Sequence, residues 1–218
     1  MARTHVLLDL DGTLSASAPG ITRTLREALI TEGFDAPNEE ELLAFVGPPF
    51  EQVLPSLGVP SDRVWAVIDR YRDRYDRIGL FETSEYDGIT GMLDALRAAE
   101  IALAVATSKP EATAVRIVEH FGWSDRFDVV AGATFDADRR TKAAVIEHAL
   151  AALDTTAGDH VVMVGDREHD VRGALAHGID CIGVGWGYAP AGELEAAGAI
   201  AVADTPADVV DLIIGARR

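Results

Sequence analysis

The chain has 218 residues, enough for one large domain or a core with a smaller insert, and 48% of them are hydrophobic, as in ordinary globular proteins. A formal net charge of −17 argues against nucleic acid or an anionic membrane as partner, and it obliges any anionic ligand to be drawn by a local site. The lone Cys181 excludes a disulfide framework or a thiolate metal cluster, no apolar run is long enough to span a bilayer, and the first apolar segment lies so close to Met1 that no signal peptide is expected, which points to the cytoplasm.

The first element is an apolar strand running into an acidic turn, His5-Val6-Leu7-Leu8-Asp9-Leu10-Asp11-Gly12-Thr13. Strand alternation places Asp9 and Asp11 on one side. Two such anions resist ionising together unless a cation lies between them, and hard oxygen ligands of this kind suit Mg²⁺. A polar strand end facing solvent is the plainer alternative. Gly12 permits a tight turn and lets its backbone N–H approach a ligand closely.

From about residue 15 to residue 84 the periodicity is helical only, near 20–32, 39–44, 50–57 and 61–77. A small helical domain is therefore expected between the first strand and the rest, with hinges near Ser15–Ala18 and Glu82–Glu85. The loop Gly47-Pro48-Pro49-Phe50 is stiff and partly apolar, a candidate for substrate selection; Phe50 serves equally well as a core residue of the insert. From residue 69 to residue 77, Asp69, Asp73 and Asp76 interleaved with the arginines suggest a solvated ion-pair surface, with Arg72 the candidate for a substrate anion. Trp65, Trp123 and Trp186 read as packing residues, with a place near the site entrance the alternative for Trp186.

Beyond the insert, apolar runs near 101–106, 127–131, 160–164, 179–184 and 199–202 alternate with helical patterns near 89–98, 110–121, 141–152, 168–176, 191–197 and 206–214. Such alternation gives an α/β fold, a parallel sheet covered by helices on both faces, with its ligand beyond the carboxyl ends of the strands. Asp9, Thr107 and the Gly165-Asp166 pair all fall on that edge. Asp170 follows Asp166 by four residues, as a second ligand or as an orienting group, although acids at a helix N-terminus also stabilise its dipole. Among 17 arginines there are only two lysines, Lys109 and Lys142. Each is either a solvated helix-end charge or a compact cation reaching an anionic site.

These pieces in this order, Asp9-Leu10-Asp11-Gly12-Thr13, Thr107, Lys142 and Gly165-Asp166 with Asp170, resemble the four motifs of the haloacid dehalogenase-like hydrolases. The likeness covers essentially the whole chain. Val46–Phe50, Thr107-Ser108-Lys109-Pro110 and Gly185-Trp186-Gly187-Tyr188 are similar to the branch of phosphoglycolate phosphatases and 5′-nucleotidase-like enzymes, many of which have Asn where this chain has Ser108. The resemblance implies a Rossmann-like catalytic core, residues 1–14 and 85–218, and a helical cap, residues 15–84. It further implies a Mg²⁺-dependent phosphomonoester hydrolase acting on a small phosphorylated metabolite as a monomer or homodimer, 2-phosphoglycolate or alternatively a nucleoside monophosphate. In that scheme Asp9 is the nucleophile that becomes an aspartyl-phosphate, and Asp11 is the acid and base, its carbonyl on the metal. The Asp9, Asp166 and Asp170 carboxylates attend Mg²⁺; Gly12, Thr107, Ser108 and Lys142 attend the phosphate. Lys109 is left as a structural or rim residue. Asp11 argues against a dehalogenase, and a cap without lysine argues against a phosphonatase. From another class, a phospho-aspartate regulatory protein shares this acid, Thr/Ser and Lys set. In receiver domains, however, the acid pair precedes the phosphoacceptor and no helical insert follows.

Overall fold

The computed structural model describes residues 2–47, 50–134 and 139–215, so Pro48 and Pro49 of the expected loop lie outside the described residues. In chain order the elements are strand β1 (His5–Leu8), helices α1 (Ala18–Thr31), α2 (Phe50–Val53), α3 (Val64–Arg77) and α4 (Ile89–Ala98), then β2 (Ala102–Pro110), α5 (Glu111–His120), β3 (Val129–Ala133), α6 (Lys142–Ala152), β4 (Val161–Gly165), α7 (Glu168–Leu175), β5 (Asp180–Val184), α8 (Glu193–Ala197), β6 (Ala201–Ala203) and α9 (Pro206–Gly215). Two compact units result, Met1–Ser15 with Glu85–Arg218, and Ala16–Ser84.

The first unit is built on a six-stranded sheet of order β3-β2-β1-β4-β5-β6, every pair parallel. Its strands are apolar on both faces because helices cover both, and Leu7, Ala104 and Met163, aligned across the centre, are fully buried. The register puts Leu8 opposite Val105 on one side and Val164 on the other. Asp9 extends the ladder by one rung, its N–H donating to Val164 O at 2.9 Å. The carboxyl ends of β1 and β4 therefore finish close together, and β2 continues past them to Pro110, carrying Thr107. This is where the strand order reverses, the crevice that parallel sheets use for ligands. Lys142 begins α6, which is capped by Thr141, whose hydroxyl oxygen accepts from Ala144 N at 3.2 Å.

The helical unit has its own core. In α1 the buried Ile21, Leu25, Ala28 and Leu29 follow helical spacing, and Leu25, Ala28 and Leu29 pack with Leu42, Leu54 and Val67. Phe50 is half-buried against this core and meets Tyr71 edge-on, ring centroids 4.6 Å apart. The arginines of α3 do not simply pair with the acids interleaved among them. Arg77 does reach Asp73, but Arg70 reaches Glu32 and Arg74 bridges Glu27 and Glu82. Arg70 and Arg74 thus turn toward partners brought by the fold, whereas Arg77 and Arg72 keep the local acids Asp73 and Asp69. Arg72 lies over the Trp65 ring, 5.8 Å from its centroid, with Asp69 3.8 Å away. Trp65, expected as packing, is 50% exposed; Trp123 is fully buried, its indole N–H donating to Thr90 Oγ1 at 3.1 Å.

Leu7→Ala should open a cavity in the middle of the sheet and cost about 2–5 kcal/mol. Ile200→Ala, at a side chain 53% exposed, should change stability by no more than about 0.5 kcal/mol. Urea unfolding followed by circular dichroism separates the two.

Candidate active site

Strand β1 delivers Asp9, strand β2 delivers Thr107, and β4 delivers Asp166; helices α6 and α7 supply Lys142 and Asp170. All five side chains are buried. One carboxylate oxygen from each of Asp9, Asp166 and Asp170 lies within 4.8 Å of the others. The Lys142 ammonium sits among them, 2.8 Å from Asp9 Oδ1, 2.6 Å from Asp170 Oδ1 and 3.0 Å from the Ala106 carbonyl oxygen. Hydrogen bonds to Asp9 and the Ala106 carbonyl and the ion pair with Asp170 hold the ammonium where it offsets carboxylate charge.

The electrostatics follow from burial. Burial raises the Asp9 carboxyl to about 6, with Lys142 opposing and Asp170 adding to the rise. Asp166 is pushed well above the usual carboxylate range by burial, then by Asp170 and Asp9. Burial works against the charge on Lys142, but the Asp170 and Asp9 carboxylates outweigh it and hold the ammonium more basic than usual. With all three carboxylates ionised, one ammonium would leave two negative charges, which one divalent cation balances. The donors are all hard oxygens, and Asp170 Oδ1 is buried with no well-aligned hydrogen bond. The site fits Mg²⁺.

Asp166 is held from several sides. Tyr188 N donates to its Oδ2 at 2.7 Å, and Thr13 Oγ1 lies 3.5 Å from Oδ1. Asp170 Oδ2 accepts from Arg167 N at 3.0 Å, closing the turn before α7. The loop after β5 is fastened to the first turn through Trp186, whose indole N–H donates to Thr13 O at 3.0 Å. At Gly187 a Cβ would collide with the Asp166 side chain. Gly12 has φ +84 and would likewise drive a Cβ into Asp166. Its N–H donates to Ser15 O at 2.9 Å. That bond lies inside the turn that Gly12 makes possible.

Asp11 departs from the simple expectation of two carboxylates sharing one cation. The chain leaves the strand after Asp9, and Asp11 pairs with Ser15 in an isolated bridge. Its Oδ2 lies 2.8 Å from Lys109 Nζ, and Asp11 is not a member of the three-carboxylate cluster. Lys109 is therefore no rim residue: its side chain is 6% exposed. Thr107 Oγ1 accepts from Lys109 N at 3.2 Å, and Ser108 between them is exposed. Sequence reasoning weighed Lys109 but left it as a structural or rim residue, and it gave the Tyr188 N–H and Gly187 no role in the site. The scarcity of lysine was the available signal for the first; the other two act through backbone and space. Gly47, Phe50 and Arg72 belong to the helical unit.

A profile of haloacid dehalogenase-like hydrolases matches residues 6–184. The chain belongs to the haloacid dehalogenase-like hydrolase family. Among relatives of this hydrolase, the tyrosine-protein kinase PtkA of Mycobacterium tuberculosis is 46% identical over 84% of this chain. The chain spans 62% of that protein's length. A 5′-nucleotidase of Pseudomonas aeruginosa is 39% identical over 88% of this chain and 87% of its own, and a phosphoglycolate phosphatase of Rhodospirillum rubrum 33% identical over 94% and 89%. The crystal structure of a predicted phosphatase from Clostridium acetobutylicum superposes with a TM-score of 0.92 at 35% identity, covering 99% of this chain and 100% of that one. The six-stranded parallel core is that of these hydrolases. No helix among the described residues is long and apolar enough to cross a membrane.

Asp9 ionises near 3.8 in an unfolded chain and near 6 here. Between those values the metal-free fold binds more protons than the unfolded chain, so this group's contribution to stability falls as pH rises. Added Mg²⁺ should raise the melting temperature at a pH of about 8, and the gain should shrink as pH falls below about 6. Thermal scans with and without Mg²⁺ across that range check it; a pH-independent gain, or none, would contradict the assignment of the carboxylate site.

Proposed function

We propose that this hydrolase cleaves small organic phosphomonoesters through an aspartyl-phosphate on Asp9, with Mg²⁺ held by Asp9, Asp166 and Asp170. The observation that carries the reading is the Asp9 carboxylate, fixed by Lys142 at the switch point of the sheet beside an unbalanced pair of acids. Asp9 Oδ attacks phosphorus, the bond to the leaving oxygen breaks, and that oxygen takes a proton from Asp11. A water molecule then attacks phosphorus, surrenders a proton to Asp11, and the bond to Asp9 breaks to release phosphate. Bound Mg²⁺ would supply charge neutralisation for the phosphoryl oxygens. Thr107 and the backbone of the exposed residue Ser108 are the groups proposed to orient those oxygens. Lys142 keeps Asp9 ionised and placed for attack.

Substrate choice is assigned to the helical unit, with Gly47, Pro48, Pro49, Phe50 and Arg72 as the residues to test. Phosphoglycolate phosphatases and a 5′-nucleotidase among the relatives support 2-phosphoglycolate and nucleoside monophosphates as first substrates. The 46% identity to a protein named as a tyrosine kinase favours a second reading. There the same aspartyl-phosphate is handed to a hydroxyl instead of to water.

The test is phosphate release from 2-phosphoglycolate, nucleoside monophosphates, sugar phosphates and an aryl phosphate. Mg²⁺-dependent release should fall at least about 10³-fold in Asp9→Asn, which removes the nucleophile. An additional arm supplies ATP and a tyrosine-containing peptide. Phosphotyrosine formed in place of free phosphate would favour transfer, and no reaction in either arm would sink both readings.

A further inference from the structure

We propose that Lys109 is a positioning residue for Asp11, clamping one carboxylate oxygen so that the other meets the leaving group. The inference rests on the phosphatase reading above and adds to it a residue outside the four motifs. Three observations carry it. Lys109 Nζ lies 2.8 Å from Asp11 Oδ2, and both side chains are largely withdrawn from water, 6% and 17% exposed. Asp11 Oδ1 is buried with no hydrogen-bond partner in the structure, an arrangement that is costly unless a ligand group completes it. The base of Lys109 is fixed as well. Its N–H donates to Thr107 Oγ1, and the next residue, Pro110 at φ −53, is the N-cap of α5.

The chemistry follows from which oxygen is committed. A protonated Asp11 carries its proton on Oδ1, because Oδ2 is occupied as the acceptor from Lys109. When the bond from phosphorus to the leaving oxygen breaks, that proton moves to the leaving oxygen and Asp11 is left as a carboxylate. In the second half-reaction the attacking water returns a proton to the same Oδ1. Lys109 forms no bond and moves no proton; it decides where Oδ1 stands. Lys142 holds the nucleophile Asp9 and Lys109 holds the proton carrier Asp11, so each lysine of the chain serves one of the two acids.

The experiment exploits the leaving group. An alkyl phosphate must have its leaving oxygen protonated, whereas p-nitrophenolate departs without help. Wild type, Lys109→Met, Lys109→Arg, Asp11→Asn and the Lys109→Met/Asp11→Asn double variant are compared on glycerol phosphate and on p-nitrophenyl phosphate, with Mg²⁺ saturating. Lys109→Met should lower kcat/KM for the alkyl ester about 10- to 100-fold, through kcat rather than KM, and for the aryl ester less than about threefold. Lys109→Arg should recover most of the loss. In the Asp11→Asn background Lys109→Met should cost nothing further on the alkyl ester. An equal loss on both esters, additive losses in the double variant, or a raised KM at unchanged kcat would overturn the proposal. The last of these would make Lys109 a substrate-binding residue. Lys109→Gln is the second uncharged variant should the methionine prevent folding. A wild type that hydrolyses neither ester with Mg²⁺ would overturn the phosphatase reading itself, and the role of Lys109 with it.

Discussion

Three carboxylates buried around one ammonium set the terms for the rest of this molecule. Asp9, Asp166 and Asp170 repel one another in a setting too dry to screen them, and Lys142 compensates only one. Such a cluster persists only if its members cannot drift apart. The sheet register fixes Asp9 against Val164, the turn before α7 ties Asp170 to Arg167, and the loop after β5 pins Asp166 through the Tyr188 N–H. The glycines at 12 and 187 let the backbone pack directly against Asp166. Each of these looks like a local detail, yet each opposes the same electrostatic pressure.

The legibility of this chain follows from what fixes each residue. The strands were readable because a parallel sheet covered on both faces demands uninterrupted apolar runs, and an acid at the end of such a run has no packing explanation. Asp9 and Asp166 stood out for that reason, and Thr107 by the same edge. Asp11 was harder. It was read as the second residue of an alternating strand, but the chain bends after Asp9 and sends the Asp11 carboxylate to a different cation. Lys109 could be weighed only as one of two lysines, because its partner is nearly a hundred residues away in sequence and adjacent only after β1 and β2 pair.

The helical unit shows the converse limit. Periodicity located its helices, since α1 needs only a stripe of apolar residues to bury against Leu42, Leu54 and Val67. It did not assign the ion pairs of α3. Arg74 has acids one and two residues away in sequence, yet it binds Glu27 and Glu82 because tertiary packing brings those carboxylates together around it. Trp65 follows the same logic in reverse. A large indole predicts burial, but at the start of α3 it lies on the outer face, beneath the Arg72 guanidinium.

The two lysine side chains, 6% and 5% exposed, have a consequence for how the protein meets reactive chemistry. Most proteins of this size scatter lysines over their surface, where acylating reagents, amine cross-linkers and lysine-modifying enzymes find them at once. Here the surface cations are arginines, and neither ε-amino group is offered to solvent. An amine-directed reagent that does modify Lys109 or Lys142 must have entered the catalytic crevice. The rate of that modification gauges how often these two ε-amino groups become accessible to solvent.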